Sequence, residues 1–324
     1  TISQPNAAAL VVNMDTNSSI NATAAGQDIT FNGTGITMNN AGGGLINAND
    51  LVALNGAGGA VRVNVDRING SITGTGTSVS VTTDNAAGNL NVGTAAGGTL
   101  TSTAGNLTLA SANNITYQGD ATATGGNLTS TSGVTGITTV NNNADVSASG
   151  STTINTPTLT LVDASTVNAG TGNVNIQSNA VGFGLTVNMN GAGDNSKIVS
   201  TGANVTFNNA NAGQITLNNG GGTGNTGLIA ADGGTANSGN GVITFNGGTN
   251  AVNADFNTAR GCIGGSGDPF NVQANTGTAD GNANTVGFGN ITSNQDISLQ
   301  GPNVWLCGPI TANGAGSDIT VTST

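Results

Sequence analysis

Apolar and small polar residues alternate in short bursts along nearly the whole chain. Each burst is an apolar residue, a polar one and a second apolar one, and most follow a Gly and then an Asn, Asp or Gln. Gly105-Asn106-Leu107-Thr108 soon returns as Gly126-Asn127-Leu128-Thr129. Gly88-Asn89-Leu90-Asn91-Val92 and Gly172-Asn173-Val174-Asn175-Ile176 state the same unit almost letter for letter. Val61/Val63, Val205/Phe207, Ile243/Phe245, Ile297/Leu299 and Ile319/Val321 continue it. Successive side chains on a strand point to opposite faces, so each burst predicts a short strand with two inward residues. Gly and Asn tolerate positive φ cheaply and supply the turns.

A unit that cannot bury its own apolar face, yet recurs, predicts a solenoid. Successive bursts keep no single spacing, as expected for a coil of about 20 residues holding more than one strand. Stacked coils would form parallel sheets in which each strand pairs with the coil above and below. On the order of 14 to 16 such coils, one strand spacing apart, give a rod roughly 70 Å long. The reading is all-β, a right-handed parallel β-helix (β-solenoid) without an α-helical domain, and a single β-solenoid domain over residues 1–324. The stretch 257–290 lacks clean bursts and holds Phe270 and Phe288; it reads as an inserted loop or decorated coil. The last burst ends without a polar cap, an open sheet edge that suits either further coils in a longer chain or a second molecule.

Composition sharpens this picture. There are 54 Gly, 6% charged and 3% aromatic residues, against roughly 25% charged in an ordinary domain. Glu, Lys and Arg favour helices and are absent or scarce, while Gly, Asn and Thr disfavour them. Low charge and regular alternation also argue against disorder. A net charge of −11 with four dispersed cations excludes the clustered Lys/Arg that nucleic acids and anionic membranes need. No apolar run approaches the roughly 20 residues of a membrane span, and no signal peptide is visible at the first residues. The chain is therefore expected to be an excerpt or a processed product.

Candidate chemistry is sparse. With no His and no Glu, a Ser-His-Asp triad, a His metal site and a Glu acid or base are all excluded, so no enzyme is expected. Lys197 near Asp194, and Arg62, Asp66 and Arg67, read as surface pairs, Arg62 and Asp66 sharing one strand face. Gly-Asp corners at Gly191–Asp194, Gly265–Asp268 and Asp280-Gly281 loosely resemble calcium-binding repeats but match none fully; polar turns account for them. No cofactor is called for, and a cation there would be calcium, since only oxygen ligands are on offer.

Cys262 and Cys307 are the two cysteines, and an isolated pair in an exported protein forms a disulfide. With a coil of about 20 residues they fall two rungs, roughly 9 to 10 Å, apart, beyond the reach of a disulfide. The bond then requires the 257–290 stretch to bring them onto adjacent rungs. Sequons such as those at Asn106 and Asn127 coincide with turn positions, and so Asn- and Thr-rich a chain produces about as many by chance, so both glycosylation and chance stay open for them.

The units GNLTL, GNVNI, GGNLTS and GSDITV resemble the repeats of filamentous-haemagglutinin-like adhesins and autotransporter passengers among bacterial exoproteins. The resemblance spans most of residues 26–324. It implies a right-handed parallel β-helix, export to the cell surface, and adhesive or matrix roles. No secretion-domain motif of the NPNG or NSF kind lies near the N-terminus, which supports the excerpt reading.

The expected function is an extracellular stalk or adhesin segment whose loops, Gly220–Asn240 and Asn257–Asn290, meet host, cell-surface or matrix components. The alternative is a filament or sheath subunit stacking copies of itself head to tail. A weaker reading, ice binding by threonine ladders, meets T-x-T triplets at Thr73, Thr75 and Thr129 that keep no fixed coil period. Since every coil repeats the same unit, the informative residues are those that break it: 257–290, Cys262, Trp305 and Cys307.

Overall fold

The computed structural model describes residues 1–4, 8–15, 17–95, except 41–43, then 97–141, 143–189, 195–209, 213–218, 227–231, 241–247, 252–256, 258–267, 269–274, 286–301 and 304–323. Every element among them is a β-strand, most of three to five residues. The chain divides into two compact units, Thr1–Gly150 and Ser151–Thr324. Each is a parallel β-solenoid.

In the first unit the third strand of each coil stacks through Leu10–Met14, Ile36–Asn40, Val61–Val65, Val79–Thr83, Leu107–Ser111 and Leu128–Thr131. The two copies of the repeat pair directly, Leu107 on Leu128 and Leu109 on Ser130. The other two faces carry Leu90–Val92, Ile115–Tyr117 and Ile137–Val140, and Leu100–Ser102, Ala121–Ala123 and Asp145–Ala148. Nearer the N-terminus the strand Arg67–Gly76 runs round the corner between these faces. Its Ser71–Ile72 pairs with Asn91–Val92 and its Gly74–Gly76 with Leu100–Ser102. Gly74 makes that bend at φ +143°, with Leu54 backbone where a Cβ would lie; only glycine fits both conditions.

The second unit repeats the three-face plan. One face stacks Thr158–Leu161, Leu185–Asn188, Ile215–Asn218, Val252–Phe256, Phe270–Ala274, Ile297–Gly301 and Ile319–Ser323. The second stacks Thr166–Ala169, Lys197–Ser200, Leu228–Ala231 and Thr258–Arg260. The third runs from Thr152–Asn155 through Val174–Gln177, Val205–Asn208, Val242–Asn246 and Cys262–Ser266 to Val286–Ser293.

Alternation sets the core as predicted. Leu107, Leu109, Val174, Ile176, Ile215 and Phe245 are fully buried, and the residues between them face outward. Each buried apolar side chain contributes roughly 1.5–3 kcal/mol. Small hydroxyls fill inward positions near corners. Ser102 donates to the carbonyls of Thr77 and Gly105 at 3.1 and 2.9 Å, and Ser200 donates to that of Gly172 at 2.8 Å. Tyr117 is wholly buried, and burial drives its hydroxyl far above the ordinary phenol range, with Ser130 pulling the other way.

The repeat's polar residue has a structural task. Asn106 Oδ1 accepts the N–H of Asn127, the same position one coil later, at 3.0 Å. Asn114 does so for Ile137 at 2.7 Å, Asp120 for Asp145 at 2.9 Å, Asn173 for Asn204 at 3.1 Å and Asp296 for Asp318 at 2.9 Å. Each such side chain satisfies a backbone donor at the first residue of a strand or just before it, where the register of paired residues has not yet begun. Outward amides also stack: Asn69 donates to Asn47 at 2.9 Å, and Asn47 to Asn21 at 3.2 Å.

Coil length varies, as the uneven spacing of the bursts implies. Val61 pairs with Val79 and Leu107 with Leu128, both short steps along the chain, whereas Val205 pairs with the much more distant Ile243. Corners absorb the difference, so the described third-face strands are fewer than a uniform short coil would require. Two expectations need correction. The stretch 257–290 is not a loop where it is described: Thr258–Arg260, Cys262–Ser266, Phe270–Ala274 and the start of Val286–Ser293 all take regular places in the ladders. Gly265 takes the inward place that Phe245 fills one rung earlier, and Gly287 and Gly289 flank the buried Phe288 in place of polar residues, which hid those two strands. Among the described residues, no ion pair joins Arg62 to Asp66. Arg62 stacks between Thr37 and Ser80, and Asp66 accepts from Asn85 at 3.0 Å.

Candidate functional site

The residues that break the repeat converge in the second unit. Cys262 opens a third-face strand and pairs with Val242 on one side and Gly287 on the other. Cys307 follows Val304–Leu306, which pairs with the far edge of Val286–Ser293. The two cysteines thus flank one intervening strand and are nevertheless disulfide-bonded, with Cα atoms 6.3 Å apart. The requirement for adjacent rungs therefore fails, and two local features explain it. A β-bulge sits between Ile263 and Gly265, so the strands slip by one residue. The intervening strand presents Gly287 and Gly289 beneath the bridge. A Cβ on Gly287 would lie 3.4 Å from Cys307 Sγ, and one on Gly289 would lie 3.6 Å from Cys262 Cβ. Cys307 is held down by its N–H, which donates to the Phe288 carbonyl at 2.6 Å.

Beside the disulfide lies an open groove of about 490 Å³. Gly264, Gly265 and Gly289 form its floor, and Thr244 and Asn290 supply a hydroxyl and an amide at its walls. Gly264 and Gly265 are required by close approach. A Cβ on Gly265 would overlap the Phe245 carbonyl, and one on Gly264 would come within 2.7 Å of the Asn290 carbonyl oxygen. Trp305 stands in register with Gly287, two residues before Cys307, and is 57% exposed; its neighbour Leu306 is 54% exposed. Among the described residues that line it, the groove has no ionisable group, because disulfide cysteines do not titrate. What the groove offers chemically is contact, glycine backbone with neutral hydrogen-bonding groups, and the exposed Trp305 stands nearby on the strand paired with Val286–Ser293.

Cys262, Trp305 and Cys307 were singled out by sequence, and the structure brings them together. Phe270 and Phe288 go elsewhere, fully buried in the core. Thr244 was missed; Gly264, Gly265, Gly289 and Asn290 all lie in the 257–290 stretch that the sequence singles out, there as a loop or decorated coil and not as two glycine-broken strands. Of the calcium-like corners, Gly265 lies within a strand, while 191–194, 268 and 280–281 fall outside the described residues. Most of the loop 220–240 does so as well, and so does Asp194, the sequence neighbour of the exposed Lys197. Among the described residues no three acidic or thiol groups gather to hold a metal.

Two carboxyls are perturbed elsewhere. Asp145 is pushed above the usual carboxylate range first by burial and then by Asp120 on the preceding rung, with Ser147 opposing. Asp255 is pushed up by burial alone.

The fold defines the class of protein, a parallel β-solenoid. Comparison of the chain with family models, with curated proteins and with solved structures finds no match in any of the three.

Proposed function

We propose that this chain is a segment of an extracellular structural and adhesive β-solenoid, a rigid scaffold that presents the disulfide-walled groove to a surface polymer. The observation that carries the reading is the pairing of an exposed Trp305 with an uncharged, glycine-floored groove. An indole offers a large apolar face at little conformational cost, and Asn and Thr orient hydroxyl-bearing ligands. Such a surface suits neutral glycans of a cell surface or matrix better than nucleic acid or anionic lipid. The disulfide fits an oxidising compartment. The resemblance of GNLTL and GNVNI to adhesin repeats supports the same reading, and nothing in the groove calls for catalysis.

The test is binding of the oxidised chain to immobilised neutral and anionic polysaccharides and matrix proteins. Neutral-glycan binding that drops about tenfold in Trp305→Ala, the loss of about 1.4 kcal/mol, supports the reading. Binding that is absent, or unchanged in the variant, defeats it.

The second reading is a self-assembling filament subunit, in which copies stack head to tail and grow open filaments. Electron microscopy discriminates: indefinite fibres favour assembly, and single particles of one length favour the adhesive segment.

A further inference from the structure

On the first-named face of the second unit, one outward column reads Thr160, Asn188, Asn218 and then Asp255. The amides form a directional ladder. Asn188 Nδ2 donates to Thr160 Oγ1 at 3.4 Å, and Asn218 Nδ2 donates to Asn188 Oδ1 at 2.8 Å. Each amide thus gives its N–H to the rung before and offers its carbonyl oxygen to the rung after. Leu217 pairs with Ala254, so the next residues along, Asn218 and Asp255, follow one another in the column. At that step the ladder breaks, because an ionised carboxylate has no hydrogen to return.

The break leaves acceptors facing acceptors. Asp255 Oδ1 is buried and has no hydrogen-bond partner. A buried acceptor left bare is costly and calls for an explanation. Around it opens a small pocket of about 160 Å³, whose polar lining is Thr216, Asn218, Asn253, Asp255, Asn271 and Gln273. Five of these six carry a side-chain carbonyl or carboxylate oxygen, and the sixth carries a hydroxyl. Gln273 continues the column directly on Asp255. Burial is the one cause that raises the Asp255 carboxyl, so no neighbouring cation of this chain compensates it.

We propose that this pocket is a calcium site, with Asp255 as its charged ligand and the oxygens of Asn218, Asn253, Asn271, Gln273 and Thr216 available to complete the shell. Calcium accepts six to eight oxygen ligands in irregular arrangements, amide carbonyls and waters included, whereas magnesium holds its waters in strict octahedra. Softer metals are disfavoured because the pocket offers neither thiolate nor imidazole. One carboxylate among neutral oxygens gives a weak site, in the range of about 10⁻⁴–10⁻³ M met in extracellular modules. The cation fills the gap in the ladder and fastens the Asn218, Asp255 and Gln273 rungs together. This inference stands apart from the groove and does not depend on adhesion.

Thermal unfolding of the full chain, titrated with CaCl₂ at constant ionic strength, tests it. The midpoint should rise over the millimolar range with CaCl₂, and not with MgCl₂ or NaCl. Asp255→Asn should abolish that rise and should raise the calcium-free midpoint, because the new amide can donate to Asn218 Oδ1 and close the ladder. Asn271→Ala keeps the carboxylate and should shift the half-maximal CaCl₂ concentration up several-fold. Circular dichroism checks that each variant folds. No rise in the native chain, an equal rise with MgCl₂, or an undiminished rise in Asp255→Asn would each overturn the site. A rise with an alkylammonium salt but not with CaCl₂ would also overturn it, in favour of an ammonium ligand.

Discussion

The third faces of the two units are stacked from the same repeat, and their cores differ. In the first unit the inward columns run Val79, Leu107, Leu128 and Val81, Leu109, Ser130, aliphatic and shrinking to a hydroxyl. In the second, one column runs Ile176, Phe207, Phe245, Gly265. There Phe207 and Phe245 stack with centroids 5.0 Å apart and planes 9° off parallel. Phe256 and Phe270, from the facing sheet, meet Phe245 edge-on at 5.8 and 6.4 Å. Along this face the first core is aliphatic, and its buried rings, Phe31 and Tyr117, come from the other faces. The second core is centred on one ring that touches both sheets, and Gly265 yields its own side chain to make room for the Phe245 backbone.

The largest test of that contrast removes the centre of each core. Phe245→Ala should cost about 3–5 kcal/mol, since it leaves a cavity among three rings. Leu109→Ala should cost about 2–3 kcal/mol, because its neighbours Val81 and Ser130 are small. Denaturant unfolding measures both. Equal costs would mean that the aromatic cluster is packing filler rather than the centre of the second core.

The turns should show no such contrast, because both units use the same clamp. Asn106→Ala and Asn173→Ala each remove the acceptor of a backbone N–H one coil later, that of Asn127 and that of Asn204. Each should cost about 0.5–1 kcal/mol, and amide hydrogen exchange should speed up at Asn127 or Asn204 alone. A loss confined to one unit would show that the clamps, and not only the cores, differ.

How much of this was legible in the sequence follows from what each residue type reports. Apolar alternation gave the strands, the parallel solenoid and the inward residues, since Leu107 and Ile176 can bury themselves only one way. Variable coil length showed as uneven spacing between bursts, because corners vary without disturbing strand register: Thr75, Thr101 and Thr122 stack on one another although the two steps between them differ in length. The strand Cys262–Ser266 was missed because Gly265 stands at the inward place that Phe245 fills one rung earlier, and Thr258–Arg260 because it carries no large apolar residue. The disulfide pair was correctly named from its cysteines, but the reasoning about rungs was not, because a bulge and two side-chain-free positions shorten the span. The Asp255 pocket left no motif at all. It exists only because one long coil and one short coil bring Asn218, Asp255 and Gln273 onto successive rungs.

The smallest effect separates the two perturbed carboxyls. Each has a folded-state pKa above its ordinary 3.8, so the native state holds a proton that the unfolded chain has already lost. Stability therefore falls as pH rises from about 3.8 through the folded-state value, and the penalty persists at neutral pH. Replacing either by Asn removes the penalty, so Asp145→Asn and Asp255→Asn should both raise the melting midpoint at pH 7, by about a degree or two. Neither should do so near pH 3, where both chains are protonated. The causes differ, and salt should expose the difference. Part of the Asp145 shift comes from the Asp120 charge on the preceding rung, which ions screen. Burial alone raises Asp255, and screening does not relieve desolvation. The gain from Asp145→Asn should thus shrink between low and about 0.5 M NaCl, while that from Asp255→Asn should hold. Equal salt dependence would show that Asp120 does not act on its neighbour, and that burial governs both carboxyls alike.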